Sequence, residues 1–407
     1  MSAVEVLEAH LARIEVVNGA VNAVVQLDAE RALEAARRSR SGPLGGVPVT
    51  CKDNFEAAGL EMAIGAADRA GVVPPRDATA VARLRGAGAV LLGKTNCPEY
   101  GGGIETDNAV YGRTSNPHDV SRTCGGSSGG EAAAVAAGMS ACGIGTDSGA
   151  SVRLPAHFCG VAALKPTAGR VPVTGVIDDE GQIGALGDPR TQVGPLARSV
   201  ADVALLLGVL SGPDGVDAGV PPVGLGSPGD VRRLRVAVFS SYDHASADAG
   251  TAAVLEDAAG ALRDAGAVVS EAVPPAGGHD LTIEVWRSYG DQTGLYRLLR
   301  RWDAFRSAML AWGARFDLLL SPVFAGPAPP HGTLSGWSGV DPTSFTTPHS
   351  LTGWPAASVP CGASPEGLPI GIQVIAHPWR DDVALAGAMA LEAALGGRSP
   401  SAILPSG

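Results

Sequence analysis

Residues 124–130 of the chain read CGGSSGG: two serines, Ser127 and Ser128, lie between pairs of glycines, and an alanine-rich stretch follows at once. Glycine adopts backbone angles that other residues avoid, and it lets the backbone approach a ligand closely. This glycine-rich loop could be a flexible linker, a phosphate-binding loop, a helix N-cap or part of a catalytic site. A linker is disfavoured because no polar or proline-rich sequence flanks it, and a phosphate loop because the Gly-Lys-Ser/Thr ending of a Walker motif is missing.

Two other stretches favour the catalytic interpretation over a simple N-cap. The stretch GTDSGASVR (145–153) places Ser151 after small residues, whose backbone N–H groups are suited to an oxyanion hole. Lys52 ends a short apolar run and is followed by Asp53. A lysine acts as a base only when it is neutral, and burial lowers its pKa toward that condition.

Length and composition indicate a large folded protein of 407 residues, 45% hydrophobic and 17% charged, so disorder is disfavoured. A net charge of −11 without a basic cluster argues against a nucleic-acid partner. The six cysteines lack zinc-ligand spacing, so we expect no metal, and they suit reduced thiols in a cytoplasmic protein. Neither a signal-peptide pattern nor a long apolar run is present, so we expect no membrane association.

Hydrophobic periodicity predicts alternating helices and strands, which is typical of a layered α/β protein. The stretch 77–96 predicts a helix, a glycine stop and a buried strand, and 324–343 predicts a long loop. The other predicted helices are 3–17, 27–39, 131–141, 251–266 and most of 281–316, and the other predicted strands are a short one ending at Lys52, 141–147, 233–241, 316–323 and 368–377.

At these residues the chain resembles the amidase signature family. The resemblance covers nearly the whole chain, most densely 42–211, and the three motifs occur in the family's order and spacing. It implies an α/β/α sandwich with a large mixed central sheet, as one domain over 1–407. The implied catalytic core is about 42–211, and a shortened helical segment at about 278–315 (the cap segment) covers the site. The matching stretches are GPLGGVPVTCKDNF, GKTNCPEYGGGIETDNAVYGRTSNP, CGGSSGGEAAAVAAG, GIGTDSGASVRLPAHFCGVAALKPTAGRVP, VGPLARSVADVALLLGVLSGPD, FDLLLSPV and SLTGWPAASVPCGASPEGLPIGIQVIAHP.

The resemblance also implies catalytic roles. Ser151 matches the nucleophile, Ser127 a bridging serine that follows a cis peptide bond, and Lys52 the base. The family usually has glycine at position 150; a side chain resists positive φ, so Ala150 is strained if the loop needs that angle and neutral if it does not. The supporting residues implied are Ser148, Gly149, Ala150 and Ser151, whose N–H groups form the oxyanion hole, and Asp147 and Arg153, which hold the loop.

Substrate contacts are harder to assign, because each candidate could equally belong to the core. Trp354 is the most suggestive, since a large ring can set the size of a pocket. Other polar residues are interpreted as structural: His157 as packed, Glu105 and Asp107 as loop-fixing, Cys51 and Cys124 as inert thiols. The segments that line the acyl pocket in relatives correspond here to Tyr100, Gly101, Gly102, Gly103, Ile177 and Trp354.

The function implied by the resemblance is hydrolysis of a carboxamide through a Ser151 acyl-enzyme, without a cofactor. The substrate expected is a small or medium aryl or alkyl amide, as in free-standing hydrolases such as indoleacetamide hydrolase-like amidases. A homodimer is compatible with the resemblance. Acyl transfer to an amine, the glutaminase subunit of a tRNA-dependent amidotransferase, and a non-catalytic binding protein stay open. The short cap segment predicts an open cleft, one closed by another subunit, or a lid made by 281–316 alone.

Overall fold

A mixed β-sheet forms the centre of the molecule, and eleven strands build it in the part of the chain that the structure describes. The computed structural model describes residues 1–38, 41–179, 181–184, 188–288, 294–334 and 343–396. In spatial order, with labels numbered along the chain, the strands are β1 (Val24–Leu27), β3 (Val90–Thr95), β2 (Pro48–Lys52), β6 (Cys142–Asp147), β10 (Gln192–Ala197), β7 (Ala162–Lys165), β16 (Ala356–Ala363), β17 (Pro369–Ala376), β15 (Leu318–Pro322), β11 (Arg235–Val238) and β14 (Val268–Glu271).

Strand directions group the sheet into two parallel parts joined by antiparallel strands. β2 runs parallel to both β3 and β6, and β11 runs parallel to both β15 and β14. The other pairings are antiparallel. Because β2 and β6 are parallel neighbours, Lys52 and Asp147, their last residues, lie at the same end of the two strands. Three two-stranded ribbons lie outside the sheet: β4 (Ser115–Asn116) with β5 (Asp119–Thr123), β8 (Ile177–Asp178) with β9 (Gly181–Gln182), and β12 (Ser241–Tyr242) with β13 (Ala245–Ser246).

Helices cover both faces of the sheet. Along β7, Ala162 and Leu164 point into one hydrophobic cluster, whereas Ala163 points into another, as the alternation of strand residues requires. The helices are α1 (Ala3–Val21), α2 (Ala29–Arg37), α3 (Thr79–Gly86), α4 (Gly129–Ala136), α5 (Arg153–Cys159), α6 (Val200–Leu210), α7 (Ala249–Asp264), α8 (Gly278–Arg287), α9 (Leu295–Gly313), α10 (Thr347–Thr352) and α11 (Asp381–Leu395). Helices α3, α6, α7 and α11 pack on the first face, and α1, α4 and α5 on the second.

This arrangement confirms the predicted α/β/α architecture with a large mixed central sheet. The predicted strand before Lys52 is β2, the stretch 77–96 contains α3 and β3, and 281–316 contains α8 and α9. Of the predicted loop 324–343, residues 335–342 lie outside the described residues. None of the described helices is both long and apolar enough to cross a membrane.

Glycines on β6 allow α4 to lie very close to the sheet. A Cβ atom on Gly143 would stand 1.9 Å from Oε1 of Glu131 and 2.6 Å from the carbonyl oxygen of Thr50. A Cβ on Gly145 would stand 2.5 Å from Oγ of Ser128. The missing side chains therefore bring the N-terminus of α4, and the serines before it, against the end of β6.

We expect Gly143→Ala to lower the free energy of unfolding by about 1–3 kcal/mol, because the new methyl group overpacks this contact. The matched control is Gly260→Ala within α7, where an added Cβ meets no atom within 4 Å. There alanine should raise stability by about 0.5–1 kcal/mol, because it removes the entropic cost of glycine in a helix. Chemical denaturation measures both changes; equal tolerance of the two substitutions would contradict the close approach of α4.

Candidate active site

Lys52 is a buried lysine whose amine contacts two hydroxyl groups. Its Nζ lies 2.7 Å from Oγ of Ser127 and 2.7 Å from Oγ1 of Thr146, and its side chain is 1% exposed. Burial disfavours the charged ammonium and lowers the pKa of Lys52 from 10.5 to about 8. An appreciable fraction of the amine is therefore neutral near physiological pH, which is the condition for a lysine base.

Ser127 is held by tight backbone packing around the glycine-rich loop. The peptide bond between Gly126 and Ser127 is cis, as the family resemblance predicts. A Cβ on Gly126 would meet the carbonyl oxygen of Gly103 and the amide nitrogen of Glu105, both at 3.0 Å. The backbone N–H of Ser128 donates to the carbonyl oxygen of Ser151 at 3.0 Å, so the glycine-rich loop is tied to the turn that carries Ser151.

The turn Ser148–Val152, here called the Ser151 loop, leads from β6 to α5. In the described part of the chain, the backbone N–H groups of Ser148, Gly149, Ala150 and Ser151 donate no hydrogen bond to a protein acceptor. They are available to an oxyanion, as the sequence predicts, although the role itself stays a prediction. Ala150 does not adopt a positive φ, and its methyl group packs beside Leu154. The replacement of the usual glycine by Ala150 therefore causes no backbone strain.

Asp147 and Arg153 form a fully buried ion pair beneath the Ser151 loop. Nε of Arg153 lies 3.0 Å from Oδ2 of Asp147, and Nη2 lies 2.9 Å from Oδ1. Burial alone would raise the pKa of Asp147, but the charge and hydrogen bonds of Arg153 hold it below its usual value. The guanidinium also donates to the carbonyl oxygen of Gly149 at 2.8 Å, which agrees with the predicted supporting role. Its other acceptors are the carbonyl oxygen of Thr346, Oε1 of Gln373 and Oγ of Ser350.

A cleft of about 420 Å³ lies beside these residues. A Cβ on Gly101 would stand 3.6 Å from Nζ of Lys52 and 3.7 Å from Oγ of Ser127, so the glycine run 101–103 borders both groups. A larger hollow of about 930 Å³ between α3 and α6 contains none of the predicted catalytic residues. The cleft is lined by Gly101, Gly102, Gly103, Ile104, Ser148, Gly149, Ala150, Ser151, Asp179, Asp188, Arg190, Ile283, Trp286, Arg287 and Thr343.

Three of the predicted substrate-contacting residues do not line this cleft. Trp354 is 1% exposed and packs in the core, with its ring centre 4.7 Å from that of His377. Ile177 lies in a small buried apolar cluster, and the hydroxyl of Tyr100 donates to Asp68 at 2.6 Å. The segments that contain these residues pass near the cleft, but the side chains point away from it. Core packing, the alternative weighed for each, describes Trp354 and Ile177.

Several cleft residues have no counterpart in the sequence predictions. Ile283, Trp286 and Arg287 belong to α8, so the cap segment forms one wall, which favours the lid alternative over an open cleft. Arg190 lies with its guanidinium carbon 5.1 Å from the ring centre of Trp286. The residue types around 179–190 do not indicate a site, so Asp179, Asp188 and Arg190 could not be predicted. The residues of α8 could have been predicted only from the position of 281–316 in the predicted cap segment.

The remaining polar candidates are structural, as predicted. Nε2 of His157 donates to the carbonyl oxygen of Gly326 at 3.0 Å, and its Nδ1 accepts from Gly371 N at 2.8 Å. Both oxygens of Glu105 accept loop N–H groups, those of Gly332 and Leu334, at 2.9 and 2.6 Å. Among the residues described, no group of His, Cys, Asp and Glu side chains could hold a metal ion.

The cysteines beside the base and the bridging serine are buried and chemically quiet. Burial raises the pKa of both the Cys51 and the Cys124 thiol to about 12. A thiol is nucleophilic only as the thiolate, so these groups are unreactive near neutral pH, as the sequence predicts.

Comparison with known proteins decides the family. The family model described as Amidase matches residues 5–289 and 283–385. The chain belongs to the amidase family. An acylamidase of Rhodococcus erythropolis is 35% identical over 448 aligned positions, covering 96% of this amidase and 91% of the relative. One subunit of the glutamyl-tRNA(Gln) amidotransferase of Chloroflexus aurantiacus is 34% identical, covering 93% and 90%. The solved structure of 6-aminohexanoate cyclic dimer hydrolase superposes with a TM-score of 0.88 at 31% identity, covering 98% and 95%.

This amidase is shorter than the relatives it matches. The alignment with the amidotransferase subunit extends over 452 positions, whereas the whole chain has 407 residues, so the relative has segments without a counterpart here. The family model matches in two stretches that overlap at 283–289, which includes the end of α8 and lies inside the predicted cap segment.

We expect Arg153→Met to lower the free energy of unfolding by about 3–5 kcal/mol, because it leaves the buried carboxylate of Asp147 without its partner. A matched control is Arg235→Met, since Arg235 pairs with Asp317 in the same two-point geometry but is half exposed. Water replaces that partner, so the control should lose much less. Chemical denaturation compares the two variants, and similar losses would contradict the importance of burial.

Proposed function

We propose that this amidase hydrolyses a carboxamide to a carboxylate and ammonia or an amine through an acyl-enzyme on Ser151. One observation carries the proposal: a fully buried lysine with a lowered pKa lies 2.7 Å from Oγ of Ser127, beside a cleft that Ser151 lines. Strongly shifted pKa values are concentrated at functional sites, and the position of this amine beside the cleft supports its assignment as a base. The family supplies the reaction class, and this geometry supports the assignment of the groups.

In the first step Ser151 attacks the amide carbonyl. Its proton passes to Oγ of Ser127, whose own proton passes to the neutral Nζ of Lys52. A neutral amine has two hydrogens and one lone pair. The hydrogen bond from Nζ to Oγ1 of Thr146 uses one hydrogen and leaves the lone pair for Ser127. Thr146 is therefore expected to orient the base.

The tetrahedral intermediate carries its negative charge at the Ser151 loop. The backbone N–H groups of the Ser151 loop, those of Ser148, Gly149, Ala150 and Ser151, stabilise that charge. Losing one such donor typically costs about 2.7–4 kcal/mol of barrier. When the C–N bond breaks, the proton held by Lys52 returns through Ser127 to the leaving amine. Water then attacks the acyl-enzyme, the same relay accepts its proton, and the carboxylate is released with Ser151 restored.

The cleft supports a small or medium aryl or alkyl amide as substrate. Its volume of about 420 Å³ lies toward the lower end of the range for small-molecule sites, roughly 300–1,000 Å³. The apolar side chains of Ile104, Ile283 and Trp286 line it beside Ser151. Among the relatives, one is named an acylamidase and another hydrolyses the cyclic dimer of 6-aminohexanoate, and both names denote amide substrates.

A second candidate, the glutaminase subunit of an amidotransferase, is favoured by the relatives of that name. It differs from the first in needing glutamine and companion proteins. The chain purified alone should release ammonia from simple amides faster than from glutamine if the first proposal holds. Adding hydroxylamine to the same assay and measuring the hydroxamate shows whether an amine can replace water as acyl acceptor.

We expect Ser151→Ala to reduce ammonia release from a panel of primary amides by roughly 10⁴- to 10⁶-fold, because the nucleophile is lost. The matched control is Ser140→Ala, a buried serine whose hydroxyl donates to the carbonyl oxygen of Cys142 away from the cleft. That variant should keep the parental rate. If Ser151→Ala matches the parent on every amide that the parent hydrolyses, Ser151 is not the nucleophile.

The value of kcat/KM should rise with pH through a midpoint near 8, because burial lowers the pKa of Lys52 to about 8 and only the neutral amine accepts a proton. Lys52→Arg keeps a positive charge that is not released in this range, so it should lose about 10²- to 10⁴-fold. A flat pH profile in the parent would contradict the role of Lys52.

Thr146→Val is the control that assigns this titration. The Thr146 oxygen accepts a hydrogen bond from Nζ and stabilises the ammonium form, so its loss should move the midpoint to lower pH. Lys165 is a competing origin, since burial lowers its pKa to about 7, but its amine donates to the carbonyl oxygen of Pro166. A midpoint that does not move in Thr146→Val would point to another group.

A further inference from the structure

Trp286 occupies a place in the cleft that no sequence motif indicates. It lies on α8 and lines the cleft together with Ser151. A Cβ on Gly149 would stand 2.7 Å from Cη2 of Trp286, so the indole edge is in direct contact with the backbone of the Ser151 loop. An acyl group bonded to Ser151 therefore lies beside this ring.

The indole is held by a cation that is already neutralised. The guanidinium carbon of Arg190 lies 5.1 Å from the ring centre, and Nε of Arg190 donates to Oδ1 of Asp188 at 2.8 Å. The other oxygen of Asp188 accepts from the hydroxyl of Thr191, which in turn hydrogen-bonds with Oγ of Ser148. This network connects the Ser151 loop to the wall of the cleft and fixes the orientation of Trp286.

Among the described residues that line the cleft or pair with its lining, the charges balance. Arg190, at 1% exposed, is paired with Asp188, and the remaining charged lining residues, Asp179 and Arg287, are exposed and of opposite sign. The described lining residues therefore present no net charge to an ionic substrate, whereas the apolar wall of Ile104, Ile283 and Trp286 lies beside Ser151. The lining therefore suits a neutral group with a large apolar face.

We propose that Trp286, positioned by Arg190, is the residue that selects substrates, and that it favours neutral primary amides whose acyl group carries an aromatic ring. This inference rests on the proposed function and narrows its substrate class. Aromatic pairs contribute more than their buried area alone, so a ring should be preferred to a saturated ring of the same size.

The test compares phenylacetamide with cyclohexylacetamide, which differ in the aromaticity of one ring. We expect kcat/KM of the parent to favour phenylacetamide by about two- to tenfold, the extent to which aromatic pairs exceed area burial. Trp286→Leu should bring the ratio close to one, and Trp286→Phe should retain most of it. Arg190→Met should lower the ratio too, because Arg190 positions the indole.

A matched control is Trp312→Leu. Trp312 is also partly buried, also has an arginine over its ring, with Arg315 at 5.7 Å, and does not line the cleft. That variant should keep the parental ratio. A preference that survives Trp286→Leu, or a parent that hydrolyses both amides equally well, overturns the inference.

Two further arms keep the outcome decisive. A thermal melt shows whether Trp286→Leu folds. If it does not, calorimetry measures the dissociation constants of the two amides in Ser151→Ala and in Ser151→Ala with Trp286→Phe, and these constants replace the kinetic ratio. Equal affinities of Ser151→Ala for the two amides overturn the inference. Phenylacetamide with a carboxylate at the para position of its ring tests an anionic substrate. If the parent prefers it to phenylacetamide and Arg190→Met abolishes that preference, Arg190 is the selecting group and the inference is overturned. Failure of the proposed function looks different, because the parent would then release no ammonia from any amide.

Discussion

The hydrogen bond between the buried amine of Lys52 and the hydroxyl of Ser127 is the interaction on which the site depends. Burying an amine is costly unless the amine is neutral or paired with a carboxylate. The amine of Lys52 contacts hydroxyl groups, and burial lowers its pKa to about 8. Another buried lysine of this region shows the contrast: Lys94 lies 2.9 Å from Oδ1 of Asp53 and so has its counter-ion. The amine of Lys52 faces two hydroxyl groups instead, and the proposed role of Lys52 as the base depends on this difference in partners.

Close backbone packing supplies that geometry. Gly143 and Gly145 let α4 approach β6, and the glycine run 101–103 leaves room beside Lys52 and Ser127. The ion pair of Asp147 and Arg153 fixes the Ser151 loop from below. The site therefore lies on closely packed loops beside the ends of β2 and β6, which suits the proposed relay, because its steps depend on hydrogen-bond distances. The proposed selection of substrate involves a different part of the fold, the wall formed by α8, which contacts the Ser151 loop through Trp286.

The contrast between two tryptophans shows where residue patterns stop being informative. Trp354 stands in a stretch that matches the family and was the most suggestive pocket residue, yet its ring packs against His377 in the core. Trp286 stands in a segment without a motif, yet it contacts the Ser151 loop. Both are large apolar side chains on helical or loop segments near the site, and either environment would stabilise them. The direction of each side chain depends on how its segment packs against the sheet, which local sequence does not encode.

The sequence by itself determined the layered α/β class and the position of β2 and α4, because alternation and glycine placement are local properties. Its resemblance to the family, carried by three motifs in order, added the α/β/α arrangement and proposed Lys52, Ser127 and Ser151 as the reacting groups. From the sequence, Ala150 could be either strained or free of strain, and the observed φ shows that it is free of strain. Tertiary structure alone decided which cap residues line the cleft, that Arg190 and Asp188 neutralise each other there, and that Arg153 uses its donors within the protein. Trp286 and Gly149, and Arg153 and Gln373, lie far apart in the chain, and even Arg190, whose partner Asp188 is a near neighbour in the chain, meets Trp286 only in the folded protein. The energies of these contacts come from burial and from partners that exist only once the sheet has formed.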